Sequence, residues 1–374
     1  MNLSQNIRQT DMIFLTFNDS PSGIFKSQVI EVCELFDGLI DSPVLLISFI
    51  PRQNYLFNRK KIQSWRSGSL VIPIIPGLRF WRVSLLVFWT INQFLGRNKI
   101  IARGSMACSI SLKSRRRDQK VVYDARGAVK AEIDEFGVFQ GALANEVIEM
   151  EKESVKASDF RISVSKALVD YWSEVYNYTS NQHAIIPCWS KAFDGRPIDH
   201  AFFKTSQSIL VYSGSTSPWQ SFPLLIEFIS KVLKETDCKV LMMCKENDQL
   251  MTLESNYPDR VLRIFVEEEN VHSYLKACDF GLLLRNQNLT NRVASPVKFS
   301  EYLACGLKVL ITPNLGDYSE LVRISNVGDV LHDIDILPLL EKPSFQQKQK
   351  SIDLAKNLLS SDAFLDAYNS IVKQ

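Results

Sequence analysis

The fold is read from "FGLLLRNQNLTNRVASPVKFSEYLACGLKVLITP", residues 280–313. An apolar run ending in Arg285 leads into a polar loop, then into a segment with helical signals, then into a second apolar run, "KVLITP" (308–313). Ser295 suits an N-cap, and Pro296 suits the first helical position because its missing N–H costs nothing there. Gly306 suits the C-terminal cap. The two apolar runs are continuous rather than alternating, which marks strands covered on both faces. Strand, helix and strand in that order make a βαβ unit and imply a parallel sheet. One residue offends helix electrostatics. Lys298 places a cation in the first turn, at the positive end of the macrodipole, and Glu301 follows a turn later on the same face. An anion held jointly by the helix start and Lys298 explains that placement.

The same alternation extends in both directions. Strands are expected at 12–17, 44–50, 70–75, 99–102, 120–124, 160–165 and 183–188, and in a second series at 209–214, 239–244, 261–266, 280–285 and 308–313. The polar stretch "WSKAFDGRPIDHAFFKTSQ" (189–207) separates the two series. The chain therefore reads as α/β, with two doubly wound Rossmann-like domains facing a cleft. The expected domains are 1–195 and 196–358, followed by a terminal helix at 359–374 that packs back on the first domain. Ligands of such sheets bind beyond the carboxyl ends of the strands.

With 46% hydrophobic and 22% charged residues, the composition is globular rather than disordered. A net charge of +2 gives no general argument for nucleic acid. Seven scattered cysteines and four histidines form neither a disulfide framework nor metal-ligand spacing, so reduced thiols, a cytoplasmic setting and no metal are expected. "MNLSQNIRQTD" (1–11) lacks a secretory pattern. "FWRVSLLVFWTINQFLG" (80–96) is too short and too interrupted to span a bilayer. Flanked by Arg79, Arg82, Arg97 and Lys99, it suits either a buried helix or one lying in a membrane interface, which would make the chain peripheral at the inner face of the cytoplasmic membrane.

The segments after the strands carry the candidate chemistry. Arg285 and Lys298 can both address an anion at the start of the Ser295–Pro296 helix. Glu301, deeper on that helix, can accept hydrogen bonds from two vicinal hydroxyls, as carboxylates do with ribose. A diphosphate beside a ribose is a nucleoside diphosphate. Gly214, Ser215 and Thr216 after 209–214 let backbone approach a phosphate, or form a plain turn.

"DFGLLLRNQNLTNRVASPVKFSEYLACGLKVLIT" (279–312) resembles the donor-binding segment of GT-B glycosyltransferases, especially the retaining family 4 type of bacterial surface-polysaccharide pathways. The resemblance implies a ribose contact for Glu301, and a diphosphate contact for Lys298 with the backbone of Ser295, Pro296 and Val297. It implies front-face displacement without metal or cofactor, the nucleotide-diphospho-sugar being a co-substrate, and a glycan or lipid-linked acceptor. Two departures stand out. Val293 occupies the place of a glutamate, and "YSGSTSPWQSF" (212–222) lacks the cations that many members carry there. The diphosphate charge would then fall on Arg285, Lys298 and backbone amides.

In the first half, Gly23 in "NDSPSGIFKSQ" (18–28) lies in a loop that the resembling family uses near donor and acceptor. Arg103 in "IARGSMA" and Asp124 with Arg126 in "YDARGAVKAEIDE" are candidates for an anionic acceptor site, or for an Asp124–Arg126 turn. The carboxylates at 132, 134 and 135 read as a solvated helix face, and "KSRRR" (113–117) as an exposed loop or a lipid contact. Two rivals to glycosyl transfer are a nucleotide-sugar 2-epimerase of the same fold and a non-catalytic nucleotide-sugar-binding subunit.

Overall fold

A computed structural model describes residues 12–191 and 195–374; the segment "MNLSQNIRQTD" (1–11) lies outside the described residues. The chain forms two compact units. One reaches Pro187 and includes Phe364–Gln374, and the other is Cys188–Ala363.

Among the described residues the first unit holds seven parallel strands: β1 (Met12–Phe17), β2 (Leu45–Ile50), β3 (Leu70–Pro73), β4 (Lys99–Arg103), β5 (Lys120–Asp124), β6 (Phe160–Ser163) and β7 (His183–Ile185). Their order is β3-β2-β1-β4-β5-β6-β7. The second holds six: β8 (Ile209–Ser213), β9 (Lys239–Met243), β10 (Val261–Ile264), β11 (Phe280–Leu283), β12 (Lys308–Ile311) and β13 (Gly328–Val330), in the order β10-β9-β8-β11-β12-β13. All of these pairs are parallel as well. In each sheet the first strand is third from one edge and the winding reverses beside it, between β1 and β4 and between β8 and β11. A crevice opens beyond the strand ends at such a reversal.

Burial explains why the strands were legible. Every residue of β1 is buried. Along β8, Ile209 and Val211 join the core on one face of the sheet while Leu210 and Tyr212 join the core on the other. With both faces covered, alternation disappears and the run becomes continuous. Twelve of the described strands match expected runs to within a few residues. The exception is β13, "GDV", an edge strand without an apolar run. Its Gly328 is a close-approach residue, since a Cβ there would stand 1.9 Å from the Val309 carbonyl oxygen.

The apolar stretch near residue 80 forms the helix Trp81–Leu95. Trp81, Phe88 and Asn92 face inward, whereas Phe80, Leu86 and Phe94 are exposed. Two expected flanking cations do not face outward. Arg97 is buried and donates to the Met12 carbonyl (2.7 Å), and buried Lys99 donates to the carbonyls of Ile371 and Val372 (2.6 and 2.7 Å). Those backbone acceptors tie β1 and the terminal helix Leu365–Lys373 to β4. Among the described residues no helix is long and apolar enough to cross a membrane.

Candidate functional site

Three segments converge at the β8/β11 reversal of the second unit: the turn after β8, the loop after β11, and the helix Val297–Ala304. That helix is held rigidly. Phe299 stacks on Tyr318 with ring centroids 4.0 Å apart. Tyr302 lies across Gly281 of β11, where a Cβ would come within 2.3 Å of the ring, and its hydroxyl accepts from the Ser213 amide (3.0 Å).

Ser295 is not the N-cap. Pro296 holds that position, with no side-chain cap, and the helix begins at Val297. The Ser295 hydroxyl instead accepts from the Cys188 amide (2.9 Å) and shares a hydrogen bond with Tyr318 Oη (2.7 Å). Tertiary partners outcompete the local cap, and the first-turn amides stay uncapped by any side chain.

Lys298 and Arg285 come together here, both buried. Lys298 Nζ donates to Gln220 Oε1 (3.0 Å) and sits 4.3 Å above the Tyr212 ring. Arg285 donates through Nη2 to the same Gln220 oxygen (3.1 Å) and through Nη1 to Asn291 Oδ1 (3.2 Å), while its Nε has no partner. The strand-end acid that would make Arg285 merely structural is absent among the described residues, and so is an exposed Lys298–Glu301 pair. Burial, followed by the charge of Arg285, holds Lys298 well below the usual lysine range against the opposing pull of Glu301. Burial also pushes Arg285 down to about 10. Two buried cations thus share one neutral amide oxygen. An isolated buried charge is costly, so this arrangement is favourable only when an anion completes it.

The approach to the cations is through glycine. At Gly214, with φ of +155°, a Cβ would meet Lys298 Nζ at 2.5 Å, so any side chain there would displace the ammonium. Ser215 and Thr216 follow, exposed, with the Ser215 carbonyl accepting from Tyr212 Oη (2.5 Å). Glu301 lies half-buried one helical turn beyond Lys298, and Val293 is wholly buried in the core.

Gln220, Tyr212 and Asn291 were not anticipated from the sequence. The stretch 212–222 carries no cation, and its contribution to this group is the amide of Gln220. Gln220 ends a short helical turn fixed by Ser221, whose left-handed φ (52°) and hydroxyl, accepting from the Asn286 amide (2.8 Å), join it to the loop after β11.

At the β1/β4 reversal of the first unit a second polar group assembles. Asp124 ends β5, opposite Arg103 in the β4 register. Arg126 donates twice to Asp124 Oδ2 (3.1 and 2.6 Å) and once to Gln28 Oε1 (3.1 Å). Arg103 lies 3.6 Å from the same Oδ2 and 3.4 Å from Asp19. Asp124 Oδ1 is buried and unpartnered. Gly23 opens the helix after β1, capped by Ser22. Glu132 departs from a solvated face: it overlies Gly127, whose absent Cβ would lie 2.7 Å from its carboxylate, and burial with Glu151 nearby pushes its carboxyl up to about 7. Asp134 does pair at the surface, with Lys130. Among the described residues no three His, Cys, Asp or Glu side chains gather as a metal-holding group.

No protein-family model and no curated protein matches the chain by sequence. Solved structures do. Sucrose-phosphate synthase from Thermosynechococcus elongatus is similar over 97% of this chain and 98% of its own, with a TM-score of 0.72 at 13% identity. The chain has the GT-B fold. HepE of Anabaena, solved with UDP and glucose, is similar over 97% of this chain and 99% of its own (TM-score 0.67, 12% identity). A Listeria monocytogenes protein named as a UDP-N-acetylglucosamine 2-epimerase is similar over 96% of this chain and 90% of its own, at a lower TM-score of 0.55 and 10% identity. At such identities the likeness carries the fold, and chemistry must be argued from the sites.

Proposed function

We propose that this chain is a glycosyltransferase that takes a sugar from a nucleotide-diphospho-sugar bound at the β8/β11 crevice and passes it to a glycan or lipid-linked acceptor. One observation carries the reading: Lys298 and Arg285, buried and without a carboxylate partner among the described residues, converge on Gln220 beside Gly214 and a helix start with no side-chain cap. The group that satisfies such a place is a diphosphate. Glu301, one turn deeper, takes the ribose hydroxyls. The two cations then stabilise charge that grows on the leaving diphosphate, with no reorganisation of their own at the moment of reaction. Transfer with retention, by front-face departure and attack, and without a resident metal, is the finer form of this proposal. At the first unit's crevice, Arg103, Asp124 and Arg126 would meet the acceptor.

The test is release of nucleoside diphosphate by the purified chain from a panel of nucleotide sugars, with and without candidate acceptors. Turnover that needs an acceptor and is lost in Arg285→Gln supports transfer. Interconversion of the donor without an acceptor identifies the epimerase, and donor binding without turnover identifies a binding subunit. Product anomeric configuration by NMR separates retention from inversion.

A further inference from the structure

We propose that the outer face of the helix Trp81–Leu95, with the corner that precedes it, docks this chain on an anionic lipid bilayer. The first observation is the distribution of charge. From residue 42 to residue 117 there is no aspartate or glutamate, while the same 76 residues carry 14 of the 43 lysines and arginines. The remainder of the chain is acidic, with 29 cations against 41 carboxylates. A near-neutral protein thus holds a strongly basic segment, and all of it lies in the first unit.

Some of these cations find acids elsewhere. Arg66 pairs with Asp37, Arg82 with Glu146, Lys113 with Glu153 and Arg115 with Asp159. Arg52, Arg59, Lys60, Arg79 and Arg117 are exposed, and none of them pairs with a carboxylate among the described residues. Two of these five flank the helix. Arg79 closely precedes it, and Arg117, with Arg116 and Asp118, lines a surface hollow with Gln93 and Gly96 at its far end.

The second observation is what lies between those ends. Val83, Leu86 and Phe94 are exposed along one side, Leu86 at 63% and Phe94 at 79%. The opposite side cannot exchange with it. Trp81 Nε1 donates to Glu146 (2.6 Å), Phe88 is fully buried, and Asn92 donates to Gln119 (2.7 Å). Just before the helix, exposed Leu56, Phe57 and Ile75 line a second hollow with Arg52. The helix, about 22 Å long at 1.5 Å per residue, therefore presents apolar side chains outward between cationic ends. That is the pattern of a helix lying in the plane of a lipid interface, where apolar groups enter the acyl boundary and cations meet headgroups. Nucleic acid would reward the cations but not the aliphatic side chains between them.

The test is co-sedimentation of the purified chain with vesicles of neutral phosphatidylcholine and of phosphatidylcholine with 30% phosphatidylglycerol, at low and at 0.5 M salt. We expect binding to the anionic vesicles to be at least tenfold tighter than to the neutral ones and to weaken with salt. Leu86→Ser with Phe94→Ser, and separately Arg79→Glu with Arg117→Glu, should each cut anionic binding at least tenfold. Both pairs are exposed, so melting temperature and nucleoside diphosphate binding should stay unchanged. Equal binding to both vesicle types, no binding to either, indifference to both pairs, or tighter binding to RNA than to anionic vesicles would each overturn the proposal. The donor crevice lies in the other unit, so failure here leaves the glycosyltransferase reading standing, and failure of that reading leaves the lipid surface standing.

Discussion

Replacing Lys298 by methionine removes one charge from the crevice and keeps most of its volume. In the empty unit, Lys298 Nζ and Arg285 Nη2 lie 3.0 and 3.1 Å from one oxygen. They are therefore no more than ~6 Å apart and, at an effective dielectric constant of about 20, repel by roughly 3 kcal/mol. The substitution relieves that repulsion and the burial of one cation. It also loses a charge-assisted hydrogen bond worth about 1.5–3 kcal/mol and a contact over the Tyr212 ring worth about 1–2 kcal/mol. These terms nearly cancel. The empty variant should melt within about 5 °C of the parent, at roughly 2–4 °C per kcal/mol for a unit of this size. Breaking a true buried ion pair would instead cost about 3–5 kcal/mol. With nucleoside diphosphate at about 100 times its Kd, the parent gains roughly 2.7 kcal/mol, whereas a variant bound 100-fold more weakly gains only about 0.4 kcal/mol. Scanning calorimetry of both proteins with and without UDP, ADP and GDP measures all of these quantities. A variant that loses more than about 3 kcal/mol when empty, yet keeps the full ligand-induced gain, would make Lys298 a structural residue and refute the anion reading.

Glu301→Ala should leave the fold intact and weaken nucleoside diphosphate binding by about 1.5–3 kcal/mol, or about 10- to 150-fold, by titration calorimetry; unchanged affinity removes the ribose assignment. Because Lys298 lies below its unfolded value in the empty site, its charge penalises the folded state fully below the folded pKa, and the penalty fades as pH rises toward the unfolded value of 10.5. A bound diphosphate restores the charge, so binding should take up a proton in that window. The binding heat should then differ between buffers of different ionisation enthalpy, and Lys298→Met should abolish the difference. Gly281→Ala forces a methyl group into the Tyr302 ring and should cost at least about 1–3 kcal/mol, with weaker donor binding because Tyr302 anchors the helix; an unchanged melting temperature counts against that anchoring. Gly328→Ala meets backbone rather than a side chain, so its cost by denaturant titration should be at least as large.

Strand positions, parallel pairing and the division into two units were legible because each depends on local composition: both faces of these sheets are covered, and their strands are unbroken apolar runs. β13 was not legible, since its place on the sheet edge depends on Gly328 admitting the Val309 backbone rather than on apolar side chains. Lys298 announced itself by sitting at the wrong end of a helix. Ser295 misled for the converse reason. A serine before a proline is a good cap locally, and only the folded chain brings the Cys188 amide and Tyr318 to claim its hydroxyl.

What the residues could not disclose was which group holds which charge. Gln220 is separated from Arg285 by 65 residues and from Lys298 by 78, and glutamine carries no charge by which a sequence would flag it. Likewise Glu132 reads as one acid among three on a helix until the fold sets it, half-buried, over Gly127 and near Glu151. Apolar periodicity acts over a few residues and survives in the sequence. Burial of a particular charge, and the identity of its partners, depends on segments joined across a sheet, and only the tertiary structure decides it.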